Sequence, residues 1–233
     1  MDDTVILSTS RKGILAKLSL LNEFCLSHGM KVNESKTKFM VINGNSDDKK
    51  DLTLNNMCVK ICEYYIYLGS PFSSDGLISS SIRINASLRM CQALKFVSFC
   101  HKNNDIPFYV KKKVFHAALM SSILYGCESW LDGNVKPMEN IYHMCIKHLL
   151  GVRKNTTNAL CLIELGLPTL KALVVQRQRK YFKAMWEDRR YMIDDPFSFA
   201  LHLVKNSNIS TAKYINDLII EDIDDMGKSL KKI

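Results

Sequence analysis

A change of hydrophobic period part-way along the chain constrains its fold more than any other feature. At the start, Thr4-Val5-Ile6-Leu7 is a β-branched, apolar run suited to a buried strand. Ile14, Leu18, Leu21, Cys25 and His28 then recur at spacings of four and three, which places one stripe on a helix ending near Gly29. A second strand is expected from Phe39 to Ile42. Beyond the turn signal Ser73-Ser74-Asp75-Gly76 the apolar spacing is helical throughout. The fold class expected is α+β, a small sheet with one helix followed by a mainly α-helical region.

The helical stripes leave basic side chains on other faces. Ile82, Ala86, Ala93, Val97 and Cys100 fit one face, with Arg83, Arg89, Gln92 and Lys95 largely elsewhere. Pro107 restarts the pattern, and Val110, Val114, Ala117, Ser121 and Leu124 form the next stripe, interrupted on its polar side by Lys111-Lys112-Lys113. Leu170 to Arg190 reads as a long helix carrying Arg177, Arg179, Lys180, Lys183, Arg189 and Arg190. A boundary is expected within Pro71 to Ser81, a polar loop from Asn43 to Asp51, and a fraying, solvated end over Glu221 to Lys232.

Charge follows this organisation. The formal net charge of +9 resides in residues 51–190, while residues 1–50 carry +2 and residues 191–233 carry −2. Lysine and arginine in that excess suit a polyanion, with affinity that falls with salt and little sequence preference; a merely solvated basic surface fits the same numbers. With 233 residues, 47% of them apolar, the chain can bury one large or two small cores. No run of ~20 apolar residues occurs, and Met1-Asp2-Asp3 has the wrong charge for a secretory or mitochondrial leader. A soluble, intracellular protein is expected, in nucleus or cytoplasm, without a membrane; oligomeric state is not readable.

The eight cysteines have no disulfide or zinc pattern. Cys25, Cys91, Cys100, Cys127, Cys145 and Cys161 are scattered through apolar helical stretches, and Cys58 and Cys62 have no second pair beside them. Buried, reduced thiols are expected. His143 and His148 come near a shared helix face with Cys145 between them, but no further ligand cluster accompanies them.

Several strings, in order, resemble the non-LTR retrotransposon (LINE-type) reverse transcriptases. They are Asp2-Asp3 before the first strand, Gly29-Met30-Lys31-Val32-Asn33-Glu34-Ser35-Lys36-Thr37-Lys38, Tyr64-Tyr65-Ile66-Tyr67-Leu68-Gly69, and Leu124-Tyr125-Gly126-Cys127-Glu128-Ser129-Trp130. Leu149-Leu150-Gly151-Val152-Arg153 and Leu162-Ile163-Glu164-Leu165-Gly166-Leu167-Pro168 extend the resemblance to about residue 190. Taken singly, the aspartates also suit a solvated turn, Lys36 an ordinary surface lysine, and the tyrosines a half-buried strand.

The resemblance implies the later part of a polymerase palm over residues 1–76, a thumb-like region over 77–130 and a C-terminal helical region over 131–233. Nucleotidyl transfer onto a primer 3′ end uses two Mg²⁺ ions to neutralise the attacking oxygen and the leaving pyrophosphate, and hard cations take carboxylate ligands. The resemblance makes Asp2 a direct Mg²⁺ ligand with Asp3 beside it, and Lys36 a group that steadies the triphosphate. It makes Tyr67, Leu68 and Gly69 the primer grip, and aligns Arg83, Arg89, Lys95, Lys111, Lys112 and Lys113 with the face that holds the nucleic acid. RNA template and DNA primer are the implied partners. Fingers and the first palm aspartate precede the Asp-Asp motif in such enzymes, so this chain alone is expected to be inactive as a polymerase.

Overall fold

The computed structural model describes residues 4–45, 48–54, 57–131, 133–187 and Tyr214. It is a mixed α+β structure that divides into two compact units, residues 1–81 and 82–233.

The first unit begins with helix α1, Arg11–Ser27. Ser10 caps it, its hydroxyl oxygen accepting from the Gly13 amide at 3.1 Å, which satisfies one of the orphan donors of the first turn. The helix stops as the stripe predicts. Gly29 adopts φ +67, its N–H bonds to the Leu26 carbonyl at 3.2 Å and the Met30 N–H returns to Cys25 at 2.8 Å.

Strands β1 (Lys38–Phe39), β2 (Leu52–Leu54) and β3 (Met57–Ile61) form a sheet in the order β1-β3-β2, with β1 parallel and β2 antiparallel to the central strand. Leu18 of α1 packs with Leu52, Met57 and Val59, and Ile14, Leu15, Leu21, Val32, Phe39 and Leu54 close around them. The loop before β2 is fastened to α1 by Arg11, whose guanidinium donates to the carbonyls of Asp48, Lys50 and Asp51 at 3.1, 2.9 and 2.5 Å. It also lies 5.9 Å from the Phe39 ring centroid.

Two strand expectations are corrected. Thr4 to Leu7 is not a strand: no described residue pairs with it, and Val5 and Leu7 are 50% and 77% exposed. β-branched residues favour extended backbone, but a strand exists only where a neighbour supplies ladder bonds. The expected strand from Phe39 to Ile42 is paired only at Lys38–Phe39, because its partner β3 ends at Ile61, opposite Phe39; the last bond runs from the Cys62 amide to the Phe39 carbonyl at 2.8 Å.

A hairpin of β4 (Tyr64–Tyr67) and β5 (Ser70–Ser73) follows in this unit. The turn after it is held by Asp75, whose carboxylate accepts from the Leu77 amide at 2.9 Å and from the Ser80 hydroxyl at 2.6 Å. Helix α2, Ile78–Lys102, follows.

The described residues of the second unit are mainly helical. From Ile82 onward α2 buries Ile82, Ala86, Ala93, Phe96 and Cys100, and Val97 is half-buried, so its stripe is close to the expected one. Helix α3 (Phe108–Val114) runs into a π-helical segment, Phe115–Met120, and a last turn α4 (Ser121–Ile123).

Of the expected stripe Val110, Val114, Ala117, Ser121 and Leu124, Leu124 is buried and Val110 and Val114 are half-buried, but Ala117 and Ser121 are overturned at this π segment. Ala117 and Ser121 are exposed, while Phe115, Leu119, Met120, Ile123 and Leu124 are buried. A π turn closes i→i+5 bonds and takes up an extra residue, so residues beyond it rotate off the face that an uninterrupted 3.6 period would give them.

Helices α5 (Lys136–Leu150), α6 (Asn158–Leu165) and α7 (Leu170–Glu187) follow. The Phe115 ring lies 5.7 Å from Phe96 and 6.1 Å from Tyr142, joining α2, the π segment and α5 in one aromatic core. The Tyr142 hydroxyl, buried there, donates to the Pro168 carbonyl at 3.0 Å, and burial pushes its pKa up to about 12. No single described helix is long and apolar enough to cross a membrane.

Candidate nucleic-acid interface

The string Tyr67-Leu68-Gly69 forms the tip of the β4–β5 hairpin. Tyr67 pairs with Ser70, leaving Leu68 and Gly69 as a two-residue loop with φ of 48° and 79°. Positive φ at both central positions is the requirement of a type I′ turn, whose twist matches that of the flanking strands. Gly69 meets it without cost; Leu68, with its Cβ, does so against a penalty of about 1–2 kcal/mol.

Cross-strand pairs Tyr65–Phe72 and Ile66–Pro71 follow the tip. Tyr64, Tyr65, Ile66 and Phe72 remain exposed, at 50%, 37%, 41% and 48%. Both faces of the ribbon therefore present apolar and aromatic surface, the type of group on which nucleobases and sugars stack.

Lys36 is exposed in the turn that leads to β1, where its amide donates to the Asn33 backbone carbonyl at 3.2 Å and to the Asn33 Oδ1 at 3.3 Å. Asp2 and Asp3 lie outside the described residues. Among the described residues no group of three His, Cys, Asp or Glu is arranged to hold a metal ion, so no chemical step through Mg²⁺ can be built on them.

The basic residues of the second unit divide by role. Arg83 and Lys95 are exposed on α2, and Arg89 is half-buried. The Arg89 Nε donates to Oδ1 of the buried Asn85 at 3.2 Å, and its guanidinium sits 5.6 Å from the Tyr125 ring centroid, an arrangement that fixes its direction.

Within Lys111-Lys112-Lys113 the side chains part company. The Lys112 ammonium donates to the Leu165 carbonyl at 2.9 Å, serving one of the orphan carbonyls at the end of α6. Lys113 is exposed, 5.8 Å from the Tyr109 ring centroid, and half-buried Lys111 is close enough to oppose the rise in Cys100 pKa that burial causes.

Leu124 to Trp130 is a structural corner. Leu124, Cys127 and Trp130 are buried, and Cys127–Ser129 is a single 3₁₀ turn entered through left-handed Gly126. Its carbonyls are served from α7: Arg177 donates to Leu124 at 3.2 Å and Gln178 to Cys127 at 3.2 Å, while Arg177 also faces Glu128 at 3.8 Å. Burial, with help from Glu128 and opposed by Arg177, pushes the Cys127 thiol up to about 12.

Gln178 went unread in the sequence, yet it carried a signal. It is the one polar member of the α7 stripe Leu170, Val174, Gln178 and Phe182, all four buried. A polar residue on an apolar stripe marks a buried backbone group in need of a partner.

Gly151 and Gly166, in the two later strings, are likewise helix stops. Val152 N–H returns to the Lys147 carbonyl at 3.1 Å and Leu167 N–H to the Leu162 carbonyl at 2.9 Å.

His143 and His148 do not share a partner. His143 Nδ1 meets the Asn158 side-chain amide at 3.1 Å, and burial lowers its pKa. His148 Nδ1 lies 3.0 Å from His101 Nε2, near the end of α2. All eight cysteines are free; Cys100, Cys127, Cys145 and Cys161 are buried as expected, whereas Cys91 is exposed.

Comparison with models of known protein families, with curated proteins and with solved structures finds no match to this chain.

Proposed function

We propose that this chain is a portion of a LINE-type RNA-directed DNA polymerase and that its own contribution is to hold nucleic acid. The first unit corresponds to the later palm and the second to the thumb and the helices after it. The observation that carries the reading is the ordered series of strings from Gly29 to Pro168, in which Tyr67-Leu68-Gly69 makes a tight, aromatic-flanked hairpin tip. Its support in charge is the net +9 of residues 51–190.

In this reading the rings of Tyr64, Tyr65 and Phe72 offer stacking surface, and Arg83, Arg89, Lys95, Lys111 and Lys113 offer cations to phosphates. Lys112 is assigned to the fold through its bond to Leu165. In this reading Mg²⁺ would belong to Asp2 and Asp3.

The test is binding of the purified chain to a primer–template duplex across a salt series. The expected result is a log–log slope of several phosphates that shrinks by about one for each contacting cation removed, as in Lys95→Ala, Lys111→Ala and Lys113→Ala combined. Lys112→Ala is expected to lower stability instead. Absence of salt-dependent binding overturns the proposal.

A further inference from the structure

We propose that His101 and His148 form a two-histidine site for a borderline divalent transition-metal ion such as Zn²⁺, held between the C-terminal turns of α2 and α5. The two nitrogens, His101 Nε2 and His148 Nδ1, lie 3.0 Å apart although the residues are separated by 47 positions in sequence. Two imidazole nitrogens bound at about 2.0–2.1 Å to one ion stand about 2.9 Å apart at a right angle and about 3.3 Å apart at a tetrahedral angle. The observed separation falls in that range, so one ion is within reach of both nitrogens once the rings turn their lone pairs toward it.

Two further features favour a cation here. His101 is the penultimate residue of α2 and His148 lies in the last turn of α5, so both helices turn the negative ends of their dipoles toward the pair. His101 is exposed and His148 half-buried, which leaves the pair accessible and two or more coordination positions for water or a further ligand. Lys102 and Lys147, adjacent in sequence, oppose a cation and set a limit on its affinity.

The nearby thiols are not part of the site. Cys100 precedes His101 and Cys145 lies one turn before His148, but both are buried and reduced. That distinction can be read directly.

The experiment is a titration of the full chain with Zn²⁺, followed by histidine side-chain nitrogen NMR, and with Co²⁺, followed by optical absorption. The expected result is saturable binding that shifts His101 Nε2 and His148 Nδ1 together, with cobalt d–d bands and no thiolate charge-transfer band. Binding is lost in His101→Asn and in His148→Asn while helix content is retained. Three results overturn the proposal: no saturable binding, binding that survives both variants, or a thiolate charge-transfer band. The NMR titration of the unaltered chain decides the matter even where a variant fails to fold.

Discussion

The Gln178 side chain, fully buried, donates to the Cys127 carbonyl at 3.2 Å and accepts from the Tyr214 hydroxyl at 2.9 Å, so one amide joins a 3₁₀ corner, α7 and a residue further along the chain. Gln178→Leu keeps the volume and leaves the Cys127 carbonyl without that donor. The expected loss is about 1–3 kcal/mol, the cost of a buried polar group left unmade. Tyr214→Phe removes the other bond, leaves the buried Gln178 Oε1 without that donor and costs about 1–3 kcal/mol in turn. Urea unfolding reads both as lower midpoints at unchanged m; equal midpoints for Gln178→Leu and the unaltered chain would show that the bond carries no stability.

Legibility tracked how local each determinant was. The stop of α1 at Gly29, its stripe from Ile14 through Cys25, the break at Pro107 and most of the α2 core could be read, since helix period and chain-reversing residues act within a few positions, whereas His28, expected on that stripe, is exposed beyond the helix end. The Thr4–Leu7 run could not, because a strand depends on a partner that propensity does not supply. The register beyond Phe115 could not either: a π turn moves the stripe from Ala117 and Ser121 to Leu119, Met120 and Ile123 through packing on Phe96 and Tyr142, both distant in sequence. In the candidate interface, the strings located the hairpin tip, but the division of labour among three adjacent lysines rests on Leu165, more than fifty residues downstream of Lys112.

Leu68 is the strained member of its turn, at φ 48. Leu68→Asn, which suits the first central position of a type I′ turn, is expected to stabilise the hairpin by about 1 kcal/mol. Amide exchange of Tyr67 and Ser70 is the measurement. Faster exchange in the variant would mean that Leu68 contacts outweigh its backbone strain. If duplex binding weakens while exchange slows, the leucine serves the interface at the expense of the fold.

Thiol reactivity should follow burial rather than sequence position. Cys91 is exposed, whereas Cys127 and Cys145 are buried with thiol pKa values pushed up to about 12, so thiolate is scarce at both. A pulse of alkylating reagent at about pH 8, near the free thiol value, is expected to modify Cys91 and spare Cys127 and Cys145 until urea is added. Mass spectrometry of the peptides checks this, and early modification of Cys127 would contradict the corner described.

His143 gives a pH dependence of known sign. Burial, the largest influence, lowers its pKa from the ordinary 6.5; Glu139 acts against that shift, and Lys136 and Lys147 act with it. The unfolded chain therefore takes up the proton near pH 6.5, while the folded chain resists until a lower pH. Stability linked to His143 is complete above about pH 6.5 and declines as the pH falls through the folded-state value. Replacing it by glutamine in His143→Gln keeps an amide partner for Asn158 and removes the titration. The gap in urea midpoint between variant and unaltered chain should thus move in favour of the variant between about pH 7.5 and about pH 5, a window spanning the imidazole range. All other residues are common to both proteins, so a gap that stays constant with pH would remove His143 from the account.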